Sequence, residues 1–314
     1  MVLVPYSLVQ DFSAPQSGGI RYALPYSTNL LTVDITPAVA VKVTENLSLA
    51  VGMDIMYADL KMRQFYPWGA LVPGSPEGDI QVHGQGWGLG GYMGINYTVA
   101  KRHRFALVGR LPVKVNLRGD FRSTNMPGAL AGAFSPNSSF DSSMTFPGSI
   151  SAGYGFDFTD KFTIGFDFKW TQNSSTHNLP LLIGSNQPLL GGATSAMFNW
   201  QNSIDVGTGM TYRLNESWVV RGGYLFSENS QPQASYTPSA PANDRHIFSL
   251  GVGWRGKTRG VDLTYAFVYN PTRVISGAAS KPALGAAASP SYSSLTMNLT
   301  CCAFSRASLA PPLR

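Results

Sequence analysis

The sequence predicts an all-β chain, an antiparallel up-and-down barrel that crosses a membrane with its strands. Three observations lead there. Apolar residues recur at every second position in segment after segment, and the connections between those segments alternate between very short and long. The composition is also unusual: of 314 residues only 13% are charged, 12% are aromatic and 33 are glycine. An ordinary soluble domain carries about twice that share of charge. No run approaches the ~18 consecutive apolar residues of a membrane-crossing helix, so a helical membrane protein is excluded. Apolar residues spread at period two among polar ones fit a transmembrane barrel.

The alternation starts in Leu31-Val33-Ile35 and Val39-Val41-Val43, where Thr32, Asp34, Thr36, Lys42 and Thr44 hold the other parity. It returns in Leu47-Leu49-Val51-Met53-Ile55-Tyr57, and in Trp87-Leu89-Met93-Ile95-Tyr97-Val99 opposite Gly86, Gly88, Gly90, Gly94 and Asn96. Phe105-Leu107-Leu111-Val113-Val115-Leu117 runs opposite Arg104, Arg110, Lys114 and Arg118. Later copies are Ile150–Phe158, Phe162–Trp170, Ile204–Leu214, Trp218–Phe226, Phe248–Trp254 and Val261–Tyr269. With weaker segments at each end the pattern supplies about twelve strands.

Thr44-Glu45-Asn46, Ala100–His103, Thr159-Asp160-Lys161, Asn215-Glu216-Ser217 and Gly256–Arg259 read as tight turns. Between them lie long Pro/Gly/Ser/Asn-rich segments near 64–79, 119–145, 172–197, 228–243 and 271–290. Short turns at one end and long loops at the other are the asymmetry of outer-membrane barrels. Tyr97, Phe158, Trp170, Tyr212, Trp218, Trp254 and Tyr269 near strand ends suit interfacial girdles, though β-propensity alone also favours aromatics there. The polar parity holds Asp34, Asp54, Asp157, Asp167, Asp205 and Asp262 with Arg110, Lys114, Arg118 and Arg221. A packed core excludes such a row; a wet or plugged lumen tolerates it.

Recognised chemistry is absent from the motifs. Gly86-Trp87-Gly88-Leu89-Gly90-Gly91 satisfies G-x-G-x-x-G but sits inside an alternating strand with no helix to follow, so it holds no pyrophosphate. On the inward parity those glycines leave room for something in the lumen. Residues 101–122 carry seven basic side chains without an interleaved stacking platform, which argues for a basic lumen stripe rather than a nucleic-acid surface. His83, His103, His177 and His246 lack metal-ligand spacing, and no nucleophile–base constellation appears. The expectation is therefore a non-enzyme without cofactor, metal or nucleic-acid partner. The adjacent Cys301 and Cys302 offer no disulfide framework, and the first residues show no export signal.

Asn199-Trp200-Gln201-Asn202, Gly207-Thr208-Gly209-Met210-Thr211-Tyr212, Trp218–Tyr224, Pro241–Arg245 and Ser249–Gly253 resemble the C-terminal half of FadL-type outer-membrane transporters. Arg21-Tyr22, Thr36–Val43 and Asn46–Gly52 are similar to earlier segments of that family, so the resemblance spans most of residues 20–270. It implies a bacterial outer-membrane barrel of fourteen strands, plugged by an N-terminal hatch. The family carries long-chain fatty acids or, in the TodX-like branch, aromatic hydrocarbons, captured among the loops and passed through a lateral opening. Twelve visible strands then imply that two strands, the hatch and a signal peptide lie outside this chain. The barrel is expected over residues 1–304, with a divergent tail over 305–314.

On that reading the partners are a hydrophobic small molecule and outer-membrane lipid, and the chain works as a monomer. A fatty acid needs an apolar cleft for its tail and a donor for its carboxylate. Arg110, Lys114, Arg118 and Arg221 are the candidate donors in the lumen, and Phe65, Trp68, Leu71, Phe134, Leu179, Leu181, Leu182, Leu189 and Leu190 the candidate greasy loop residues. Loop-on-loop packing is an equal alternative for the latter. Asp244-Arg245 matches a family signature and is expected to pin a loop. A general porin or structural barrel shares every strand feature and is the main alternative; a soluble β-rich binding domain requires the apolar parity to be buried.

Overall fold

The computed structural model describes residues 1–11, 19–22, 25–184, 195–235, 243–256, 260–275, 295–297 and 303–310. Strands β1 (Val2–Leu3) and β2 (Leu8–Asp11) both pair with β3 (Ser27–Ile35), and β4 (Ala38–Lys42) resumes after Pro37 against β5 (Leu47–Tyr66). β5 forms a long hairpin with β6 (Gly78–Val99). Next come β7 (His103–Arg110) and β8 (Val113–Ser123), then β9 (Asn137–Phe146) and β10 (Ser149–Asp157), then β11 (Phe162–Thr171). A short loop pair, β12 (Asn178–Pro180) with β13 (Ser195–Met197), precedes β14 (Ser203–Arg213), β15 (Trp218–Ser227), β16 (Arg245–Arg255) and β17 (Gly260–Tyr269). A second loop pair, β18 (Arg273–Ile275) with β19 (Leu295–Met297), leads to β20 (Ala303–Ala310).

The sheet runs β1-β3-β5-β6-β7-β10-β11-β14-β15-β16-β17-β20, twelve positions in antiparallel order, with no pairing between β1 and β20 among the described residues. This matches the strand count read from the alternation. The final strand differs from the sequence reading, because residues 305–310 continue the ladder on β17 instead of forming a tail.

Period two puts the apolar parity outside. Leu89 is 71% exposed, and Met93, Leu250, Leu263 and Phe248 share that outer face. The ladder stacks the aromatics into two levels: Phe162 beside Tyr212 and Trp218 beside Trp254 at the tight-turn end, Phe226, His246 and Tyr269 in one row at the long-loop end. Trp87 and Tyr97 are ten residues apart on β6. At ~3.3 Å per residue and a tilt of ~45°, their levels lie about 23 Å apart, close to the ~25 Å apolar band of an outer-membrane barrel. Side-chain oxygens close the tight turns: Thr44, Thr159 and Asn215 accept backbone N–H bonds from the residues two and three ahead.

The ladder is interrupted in one wall. β6 pairs with β7 over Tyr92–Val99 and with β8 over Ile80–Gln85, and among the described residues nothing pairs on that side of Gly86–Gly90. Pro112 cannot donate to a ladder, and Pro147-Gly148 breaks the neighbouring strand at the same height. Here β8 and β9 leave the wall together and fold over the inner face of β5 and β6. A Cβ on Gly86 would fall within the radius of the Asn116 carbonyl oxygen; one on Gly88 would meet the Lys114 carbonyl at 2.6 Å, and one on Gly90 would meet Val113 Cγ2 at 2.5 Å. The room left by the inward glycines is filled by the chain's own strand.

The fold-over exchanges faces at Leu111-Pro112, which corrects the sequence reading on two points. Val113, Val115 and Leu117 are fully buried rather than facing lipid. They pack with Phe121 and Phe140 against Met56, Ala58, Leu60, Met62, Ile80 and Val82, the inward parity of the β5–β6 hairpin, and against Leu179, Leu181 and Ile183. Burial of each Leu-sized side chain contributes roughly 1.5–3 kcal/mol. Arg118 pairs in register with Gln85, on the outer face that carries Trp87 and Leu89, and Lys114 shares that face of β8. The basic residues of 101–122 are thus divided: Arg104 and Arg110 face the lumen, Arg118 and Arg122 pair on the outer face of β6, and Lys114 is exposed on β8 beyond the end of that pairing.

Gly86→Ala is expected to destabilise the barrel by about 1–3 kcal/mol through overpacking against backbone. Gly109, whose added Cβ would meet nothing within 4 Å, supplies the control. Urea unfolding in detergent micelles should separate the two; equal midpoints would count against the glycine seat.

Candidate lateral opening and its ion cluster

The unpaired edge Gly86–Gly90 makes a notch in the wall. Trp87, Leu89 and Leu111 flank it on the outside, each more than half exposed. Its lower lip is tied by Leu111 N–H donating to the Gly91 carbonyl at 2.9 Å and Gln172 N–H donating to the Gly148 carbonyl at 2.9 Å. Above it stands the apolar core.

Just inside the lower lip, Arg110 ends β7 and reaches across β6. One Nη donates to Asp54 Oδ1 of β5 at 2.6 Å and to Asp34 Oδ2 of β3 at 3.2 Å, while the guanidinium lies over the Tyr92 ring at 4.9 Å. Both aspartates are fully buried, and each keeps one oxygen, Asp34 Oδ1 and Asp54 Oδ2, without a hydrogen-bond partner. A buried charge is tolerated only when paired, so the arginine is what permits two carboxylates at this depth. Tyr6 stacks on Phe146, centroids 5.1 Å apart, and closes the cluster from the side of the first strand.

Three other inward arginines are matched in the same way. Arg104 pairs with Asp157, and Arg221 and Arg255 converge on Asp262 at 2.8 Å each. Arg118 is 85% exposed and stands 3.8 Å from Asp141, whereas Lys114, two residues beyond Pro112, has no ion pair among the described residues. Lower in the lumen a cavity of about 370 Å³ is lined by Asn96, Arg104, Asp167, Thr163 and Thr211, with Gly153, Gly165 and Gly209 on its walls.

The greasy loop residues take different places. Trp68 and Leu181 are fully buried in the core, and the Trp68 indole donates to the Thr124 carbonyl at 2.9 Å. Phe134 packs against that core half-buried. Phe65 stacks on Tyr26 at 4.4 Å with the Arg21 guanidinium 3.8 Å above its ring. Leu71 and Leu182 remain about half exposed at the rim. Leu189 and Leu190 lie outside the described residues. Asp244 accepts the Asn229 backbone N–H at 2.8 Å and Arg245 donates to Ser227, so the pair fastens the foot of the 228–243 loop.

Arg21 holds Glu77 with two bonds, 2.7 and 2.6 Å, clamping the 3-10 turn Gly19–Tyr22 onto the loop after β5. Those bonds hold the Glu77 carboxyl below the usual carboxylate range.

The sequence reading did not single out the Asp34–Asp54–Arg110 cluster or the break itself. Two prolines inside strand patterns were the available signal for the break.

With this geometry in place, the family model for the outer membrane protein transport protein family (OMPP1/FadL/TodX) matches residues 1–303. The chain belongs to that family. It is 23% identical over 303 residues to the long-chain fatty acid transport protein of Escherichia coli K12, covering 84% of this chain and 65% of the relative. The Salmonella typhi long-chain fatty acid transport protein is also 23% identical, over 288 residues, with 84% and 64% covered. The chain thus spans a little under two thirds of the length of these curated relatives. Among solved structures, a Pseudomonas aeruginosa FadL homologue superposes with a TM-score of 0.78 at 20% identity, over 91% of this chain and 69% of the other. The Pseudomonas putida toluene transporter TodX superposes at 0.61 and 15% identity, over 87% and 72%. The FadL/TodX fold is therefore the fold of this chain, as the residues of 20–270 already indicated.

Arg110→Met strands two buried carboxylates and is expected to cost about 3–5 kcal/mol, most of it recovered in the Arg110→Met/Asp34→Asn/Asp54→Asn triple variant. Urea titration of the refolded proteins checks this, and an unrecovered triple variant would refute the pairing. Because the folded-state carboxyl of Glu77 titrates low, its clamp is at full strength above the ordinary carboxylate range and is lost as pH falls through the depressed value. Hydrogen exchange over residues 67–77, corrected for intrinsic rate, should rise in that window; Glu77→Gln should exchange fast at every pH.

Proposed function

We propose that this protein is a bacterial outer-membrane channel for passive uptake of hydrophobic compounds, long-chain fatty acids foremost. On this reading the compound is captured at the long-loop end and leaves or enters through the wall at the Gly86–Gly90 notch. The observation that carries the proposal is that notch: an interrupted ladder with apolar residues outside it and an apolar core above it. A hydrophobic molecule that follows this path exchanges one apolar environment for another and does not cross the charged lumen. The relatives named as long-chain fatty acid and toluene transporters support the substrate class.

Rim residue Leu71 offers the first apolar contact, with Trp68, Phe134 and Leu181 behind it as the packed wall and Phe65 held between Tyr26 and Arg21. Of the four candidate donors, Arg110 and Arg221 are committed to aspartates and Arg118 has Asp141 nearby. Lys114, at the edge of the notch, is the donor we assign to a carboxylate head. Transport on this scheme uses neither cofactor nor covalent step, and the continuous apolar outer face suits a monomer surrounded by lipid.

The test is uptake by proteoliposomes of radiolabelled oleate, toluene and sucrose. Saturable oleate or toluene uptake without sucrose permeation is expected; sucrose permeation with no preference for either would establish a plain pore. Lys114→Gln should weaken oleate binding about tenfold, the loss of one charge-assisted contact, and leave toluene unaffected.

A further inference from the structure

We infer that the Arg110 bridge to Asp34 and Asp54 is a strap that holds the notch open. Arg110 is the last wall residue before the chain turns inward, and its anchors are not on the strands beside it. β7 is hydrogen-bonded to β6 and β10, whereas Asp54 lies on β5 and Asp34 on β3. The side chain therefore runs along the inner face beneath Gly90, a position that also receives Val113. It draws the Leu111-Pro112 corner toward the lumen and seats β8 on the glycines. The unpaired edge of β6 from Gly86 to Gly90 still presents its backbone groups. The alternative for β8 is to return to that edge and continue the ladder that both neighbouring segments already form, which closes the wall. An unpaired strand edge favours such pairing; the strap opposes it.

Three features fit a strap better than a passive ion pair. The anchor is double, so loss of one contact leaves the other. Each aspartate has a spare buried oxygen facing no partner, which lets the guanidinium change its grip without leaving the cluster. The guanidinium is also steadied from below by Tyr92, whose own strand carries the notch. Arg110 is on this view a positioning residue, and it acts on the wall rather than on the transported molecule.

The inference rests on the reading of the notch as the route, but its test does not depend on transport. Spin labels on Leu89→Cys and Asn116→Cys, both exposed and on opposite sides of the notch, report its width by pulsed electron resonance in nanodiscs, with Cys301 and Cys302 replaced by serine. The wild-type background should give one distance population. Asp34→Asn/Asp54→Asn, which keeps shape and removes the charge, should add a shorter population as β8 returns to the wall. An unchanged distribution in a folded double variant, judged by heat-modifiable migration, would overturn the strap. If the double variant does not fold, the Arg110→Met/Asp34→Asn/Asp54→Asn triple variant, which removes every charge of the strap, should show the shorter population, and its absence would equally overturn the strap. Oleate uptake measured on the same samples then separates the two ideas: a changed distance with unchanged uptake retains the strap and discards the notch as the route.

Discussion

A barrel wall in lipid tolerates no unpaired backbone, because nothing in the hydrocarbon layer replaces a lost ladder bond. That constraint governs the period-two alternation, the outer apolar face and the two aromatic levels. The interruption at Gly86–Gly90 is handled accordingly. Where Gly86–Gly90 loses its neighbour, the missing strand has not gone away; it lies directly behind, pressed on glycines that admit backbone at contact distance. The apolar inner parity of β5 and β6 and the apolar face of β8 and β9 then enclose a core inside the barrel, at the long-loop end. Below the break the inner face reverts to glycine, threonine and charged side chains, among them the Arg104–Asp157 and Arg221–Asp262 pairs. The interior is therefore graded from dry to wet along the barrel axis, and the break sits at the boundary.

Electrostatics follows the same division. Inside, the bridging arginines answer aspartates on other strands, so the charges there act as cross-ties between strands that are not adjacent. Outside and above the Tyr57–Trp87 pair, rows such as Lys61–His83–Asp120 run straight across neighbouring strands and are largely solvated. Exposed pairs of that kind contribute little each. The Arg110 cluster differs because both its carboxylates are fully buried, so removing its cation has a far larger effect than removing a surface partner.

Much of this was legible in the sequence. Alternation gave the strands and their outer face, loop lengths gave the polarity of the barrel, and Asp34, Asp54 and Arg110 were placed correctly on the inward row. What parity does not carry is a change of face. Pro112 and Pro147-Gly148 mark where strands break, but the direction in which the chain leaves depends on a seat on an earlier strand, at Gly86, Gly88 and Gly90. Reading Arg118 as inward extended a rule past the point where its geometry ended. Trp68 and Leu181 show a related limit: a loop apolar residue is buried or exposed according to what folds over it, and the partners here, Thr124 and the β8–β9 hairpin, come from other loops.

The same seat explains why a basic residue at the end of β7 matters to a wall whose outer face is apolar. An opening made only by a proline would be free to heal, since the glycine edge and the displaced strand are complementary and close. Holding it requires an interaction that is strong at low dielectric, directional, and placed on the lumen side where it does not obstruct the apolar path. Arg110 between Asp34 and Asp54 meets all three conditions, and the surplus carboxylate is the consequence of anchoring one cation to two strands. The polar row of the lumen thus serves the wall before it serves any ligand, because its charges keep a hydrophobic gap from closing on itself.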